Sequence, residues 1–164
     1  MIALLLSARP AAGASLSRVE LDILGKSLTF LQPKPVGDVT VAIVYADGDA
    51  GSRQDAQAIA DAIGGGLIAG GAVLRPQLVN VAALNTAEFA LVIVAAGAND
   101  EAVMRAARPH HALCVTGDLA AVRAGTCVMA IRSDGRVEIL LNSQAAQIAG
   151  IVFAIAFRMM VQEQ

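Results

Sequence analysis

The densest set of polar side chains is the run Ala46 to Arg53, in which Asp47, Asp49, Ser52 and Arg53 follow an apolar segment of strand length. Two carboxylates, a hydroxyl and a guanidinium at the carboxyl end of a strand suit a small polar ligand, because open α/β sheets place ligands there. The run holds neither the Gly-x-x-x-x-Gly-Lys-Ser/Thr phosphate loop nor a Gly-x-Gly-x-x-Gly turn, so only its location speaks for binding. The competing expectation is a solvated turn in which Ser52 and Asp55 cap the following helix. A receiver-type phosphorylation site needs an acid at the end of the strand expected over residues 90–95, and Ala95, Ala96 and Gly97 stand there.

His110 and His111 are the two imidazoles of the chain. Adjacent residues of a strand point to opposite faces, so the pair is a poor metal site and no metal is expected. No Gly-x-Ser-x-Gly elbow and no Ser, His, Asp order accompanies them, so no catalytic residue is assigned. Gly64, Gly65 and Gly66, with Gly70 and Gly71, relax the backbone of a crossover or form a flexible flap. Cys114 and Cys127 each fall in an expected strand, with twelve residues between them. They are either a disulfide, open to an exported protein, or two buried thiols acting as small hydrophobes.

These groups belong to a chain of 164 residues, 56% hydrophobic and 16% charged, which excludes intrinsic disorder. Ten Arg and two Lys are scattered singly, the net charge is -2, and aromatics are 3% with no Trp. No nucleic acid partner is expected from a chain without basic runs or stacking platforms. Mean hydropathy is +0.62. The longest uninterrupted apolar run, residues 148–157, is nevertheless half of what a bilayer requires, so the chain is not expected to span one. Residues 1–14 read as the remnant of a signal peptide: an apolar start, then Ala12, Gly13 and Ala14 in the small-x-small cleavage pattern. Export follows from that pattern, and a cytoplasmic location if it is misread.

Ser17 and Glu20 form a capping box before Leu21, Leu24, Leu28 and Leu31, which repeat at helical spacing until Pro33. Residues 39–45, 90–95 and 112–115 are apolar runs of the kind that fill a parallel sheet covered on both faces, and 73–79 adds another strand. Between them Ala56, Ile59, Ala60 and Ile63 make one face of a helix ended by Gly64. Asn99 is expected to cap a further helix that Arg105, Arg108 and Pro109 close. A short helix over 118–123 precedes strands over 127–132 and 136–141, joined by Ser133, Asp134 and Gly135 as a hairpin. Asn142 is expected to cap one last helix running to about Val161. The pattern predicts an α/β fold: a three-layer, Rossmann-like or flavodoxin-like sheet, mostly parallel, with a C-terminal antiparallel hairpin and a C-terminal helix.

That last third carries a resemblance. It reads Ala-Leu-Cys-Val-Thr-Gly-Asp from Ala112, then Gly125, Thr126 and Cys127 before an apolar strand, Asp134-Gly135-Arg136, and Asn142 with Ala145, Ala146 and Gly150. This resembles the YfiR/HmsC-like family of small periplasmic proteins, although Gly125-Thr126 replaces that family's Gly-Gly. Residues 15–164 would then be one YfiR-like domain. The resemblance implies a non-enzymatic regulator without a cofactor, which binds the periplasmic domain of an inner-membrane diguanylate cyclase and represses cyclic-di-GMP output. The alternative is a single solute-binding lobe of a transport system, in which a ligand would need a homodimer or a shallow site.

The expected final helix has more apolar residues than one buried face needs. Ile148, Val152 and Ile155 are assigned to the core, and Phe153 and Phe157 to a partner surface.

Overall fold

The computed structural model describes residues 15–98 and 100–164. The signal-like segment 1–14 and the cap expected at Asn99 lie outside them. Helix α1 spans Arg18–Leu28 and begins at the predicted capping box, Glu20 accepting from the Ser17 amide at 2.9 Å. Strand β1, Gly37–Tyr45, leads into α2, Ala50–Ile63, which buries Ala56, Ile59, Ala60 and Ile63 as its spacing requires. Gly64 ends it with a φ of +64°, a value open to glycine at little cost.

The glycine-rich connection forms a structure that its composition concealed. Leu67–Ala69 is a short strand, β2, turning at Gly70 and Gly71 into β3, Ala72–Asn80, and pairing with it antiparallel. The crossover expectation for Gly70 and Gly71 is thereby corrected to a hairpin turn: Gly70 has φ of +63°, open to glycine at little cost. A 3₁₀ turn over Val81–Thr86 then reaches β4, Leu91–Val94, and α3, Asp100–Ala107. Strand β5, Leu113–Thr116, and helix α4, Leu119–Arg123, precede the hairpin of β6, Met129–Arg132, and β7, Glu138–Leu141.

Among the described residues the sheet has eight strands in the order β2-β3-β1-β4-β5-β6-β7-β8, where β8 is Gln162–Glu163. Only β2 with β3 and β6 with β7 pair antiparallel. From β1 the winding goes one way through α2 to β3, and the other way through α3 and α4 from β4 to β6. Right-handed crossovers put α2 and α3 on opposite faces for that reason. Strands β1, β4 and β5 are buried through their centres, as the unbroken apolar runs predicted.

The long final helix does not form. Asn142 does cap a helix, α5, but it covers only Ser143–Ala149 and stops at Gly150, whose φ of +72° makes a left-handed cap. Beyond it the chain runs extended beside the end of α1: Gln32 N–H donates to Val152 O at 2.9 Å and Ala154 N–H to Phe30 O at 2.8 Å. One turn, α6 over Ile155–Arg158, then delivers β8 to the free side of β7.

This break inverts the two faces expected of the segment. Phe153 and Phe157, assigned to a partner surface, are 5% and 2% exposed. Ile148, Val152 and Ile155, assigned to the core, stand in solvent with Met159 and Met160. An extended stretch between two short helices turns the aromatic rings inward, where a continuous helix would have kept its period.

Candidate functional site

Winding reverses between β1 and β4, and the crevice beyond their carboxyl ends is where such a sheet takes a ligand. Both loops that meet there come from the regions singled out above. Asp49 caps α2, its Oδ1 accepting from the Ser52 amide at 3.0 Å. Ser52 lies inside the helix, buried, with Oγ accepting from Ala46 N–H at 2.9 Å. The expectation that Ser52 and Asp55 cap this helix is corrected: Asp55 sits on its second turn and reaches across to the other loop, accepting from Ala96 N–H at 2.7 Å. Asp47 accepts from the Asn80 side chain at 2.8 Å, and Arg53 lies over the Tyr45 ring, 5.7 Å from its centroid.

Asp47, Asp49, Ser52 and Arg53 are therefore brought together, but each is engaged by the protein's own groups. Gly97 completes the junction. A Cβ there would stand 3.0 Å from Asp49 Oδ2, and its φ is +82°, so only glycine lets the two loops close this tightly.

A second pair of acids, which no motif singles out, lies past β4 and β5. Asp100 opens α3 and Asp118 caps α4, accepting from the Ala120 amide at 2.8 Å. Burial, and then the charge of Asp118, push the Asp100 carboxyl up from 3.8 to about 6. The helix N-terminus favours the anion but does not offset the lost hydration. Its place after a strand's carboxyl end was the signal available in the sequence.

The histidines are not on a strand. His110 belongs to the 3₁₀ turn Arg108–His110 and packs on Phe89 with ring centroids 4.5 Å apart. His111 is left-handed, φ 50°, and its Nδ1 lies 3.1 Å from Ala149 O. Among the described residues no group of three or more His, Cys, Asp or Glu side chains is placed to hold a metal ion. Cys114 and Cys127 are joined in a disulfide with both residues fully buried, resolving the alternatives left open above. Cys114 is in β5, whereas Cys127 precedes β6 rather than lying in it. No described helix is long and apolar enough to cross a membrane.

No family model and no curated protein matches this chain. Among solved structures it is similar to a conserved domain protein from Vibrio cholerae O1 biovar El Tor, with a TM-score of 0.60 and 12% identity. The match covers 91% of this chain and 60% of that one, so this chain spans less than two thirds of its length. At that identity the likeness shows the α/β fold alone.

Proposed function

We propose that the protein is an exported, non-enzymatic regulator that acts by contact, repressing a membrane-bound diguanylate cyclase through its periplasmic domain. The observation that carries this reading is the apolar surface of the C-terminal segment. Ile148, Val152, Ile155, Met159 and Met160 are each exposed within this one short segment, a concentration of large apolar side chains that a protein contact would use. The buried Cys114–Cys127 disulfide supports an oxidising compartment. The switch-point loops speak less for a solute-binding lobe, since Asp47, Asp49 and Ser52 already bond protein groups.

The test is co-expression with a membrane diguanylate cyclase of the same genome, reading cellular cyclic-di-GMP and co-purification of the cyclase's periplasmic domain. A fall in cyclic-di-GMP that the double variant Ile155→Glu, Met159→Glu abolishes is the expected result. Unchanged cyclic-di-GMP with every such cyclase, from protein recovered folded in the periplasm, overturns the reading.

A further inference from the structure

Strand β1, third in the sheet, is longer than one of its neighbours. β1 pairs with β3 along its whole length, from Gly37↔Ala72 to Tyr45↔Asn80, but with β4 only from Val41↔Leu91 to Val44↔Val94. Residues 37–40 thus have a strand on one side only.

The direction of their backbone groups follows from the bonds around them. The amide and carbonyl of one strand residue point to the same side, and the side alternates from residue to residue. Thr40 O accepts from Ala90 N–H at 3.1 Å and Val44 O from Ala95 N–H at 2.9 Å, whereas Gly37 N–H donates to Gly71 O at 3.0 Å. Even-numbered residues therefore face the lane of β4 and odd-numbered ones face β3. The Asp38 amide and carbonyl and the Thr40 amide point into the part of that lane that β4 does not reach.

The same lane opens on a cleft of about 490 Å³. Leu28, Leu31, Val36, Val39, Phe89 and Leu113 give it an apolar lining, and its charged groups are Asp38 and Glu88, with no Lys or Arg among the lining residues. Asp38 is paired with Arg75 at 3.1 Å, and Glu88 is exposed.

We propose that this cleft receives an extended peptide segment of a protein partner, which adds as a short strand beside residues 37–40. Its apolar side chains enter the cleft and a Lys or Arg meets Glu88. Open main-chain donors and acceptors select an extended chain over a helix, whose own backbone is already bonded. The apolar lining selects alternate apolar side chains, and the uncompensated carboxylate selects a basic one. Four residues of strand span about 13 Å, so the pairing is short and the side-chain contacts decide which sequences bind. This site is separate from the exposed C-terminal residues and does not rest on the cyclase reading.

Random heptapeptides displayed on phage, selected against the immobilised disulfide-intact protein, provide the probe. The enriched peptides are then synthesised with and without N-methylated backbone nitrogens. Apolar sequences carrying a Lys or Arg should enrich, and binding should slow hydrogen exchange at the Asp38 and Thr40 amides by about tenfold or more. N-methylation should abolish binding, and Glu88→Lys, at an exposed position, should weaken it by about fivefold to tenfold without moving the melt. Enrichment of no sequence overturns the proposal, as do binders that leave those two amides exchanging at the free rate. Equal binding by N-methylated peptides, or an unchanged affinity in Glu88→Lys, overturns the strand pairing or the basic side chain respectively.

Discussion

The rings of Phe30 and Phe157 are stacked with centroids 5.4 Å apart, so the single turn of α6 is clamped onto the residues that follow α1. Phe153 stacks on Phe157 in turn at 4.8 Å. Three aromatic rings from the two ends of the described chain make one cluster, in which Phe153 and Phe157 are buried and Phe30 partly so. Phe157→Ala should therefore lower folding stability by about 3–5 kcal/mol in urea unfolding. A change below about 0.5 kcal/mol, the range of surface substitutions, would place the ring outside the core.

Ile155 and Met159 are 74% and 82% exposed, on the same segment as those rings. Glutamate at both positions should shift stability by no more than about 0.5 kcal/mol each. The same variant should lose its partner in a pull-down. A large drop in melting temperature would mean that these side chains are packed in the free protein.

Asn142 is buried and bonds at both ends of its amide, donating to Val122 O at 2.9 Å and accepting from the Ala145 amide at 2.8 Å. It caps α5 and ties that helix to α4 at once. Replacement by Ala removes the cap and one of the bonds to Val122 O, which still accepts from Gly125 N–H and the Gln164 side chain, costing about 0.5–2 kcal/mol by chemical denaturation. Ser at this position should recover part of the cap but not the bond to Val122.

The disulfide closes a loop of 13 residues in sequence separation between β5 and the approach to β6. In the chain-entropy model a loop of this size contributes about 3 kcal/mol. The Cys114→Ala, Cys127→Ala protein should melt at a lower temperature by a corresponding amount. The native protein should show no thiol reactive to a maleimide even after unfolding. Two titratable thiols under denaturing, non-reducing conditions would contradict the bridge.

Asp100 gives the protein a pH dependence of definite sign. Its carboxyl holds a proton up to about pH 6 in the fold, against an ordinary value of 3.8, because it is half-buried and lies near the charge of Asp118. The folded state therefore binds more protons than the unfolded one between these values, and stability falls as pH rises through that window. Asp100→Asn should stabilise the protein at neutral pH, by about 1 kcal/mol once solvent screening of this partly exposed group is allowed for, and bring no gain below about pH 4. A gain of equal size at both ends would assign the effect to packing instead.

What could be read ahead of the structure was what depends on local chemistry. The Ser17 box, the buried face from Ala56 to Ile63 and the hairpin at Asp134 and Gly135 all follow from neighbours a few residues apart. The alternation of strands and helices gave the sheet, and with it the crevice beyond β1. Failures arose where distant residues decide. Leu67–Ala69 is too short to show a period, and becomes a strand because β3 lies beside it. Gly150 ends α5 since the main chain at Phe30 and Gln32 captures the segment beyond it. Which side chains of residues 148–160 face inward was set by that capture, and no helical pattern could report it. Within the crevice the polar residues were found, but their engagement with Asn80, Ala46 and Ala96 depends on loops far apart in sequence.

Gly150 and His111 share one small space. A Cβ on Gly150 would stand 2.6 Å from His111 Nδ1, and both residues hold a left-handed backbone. Neither position is free to drift alone. Among descendants of a common ancestor the two should change as a pair, a side chain at position 150 being accepted only where position 111 no longer carries a ring.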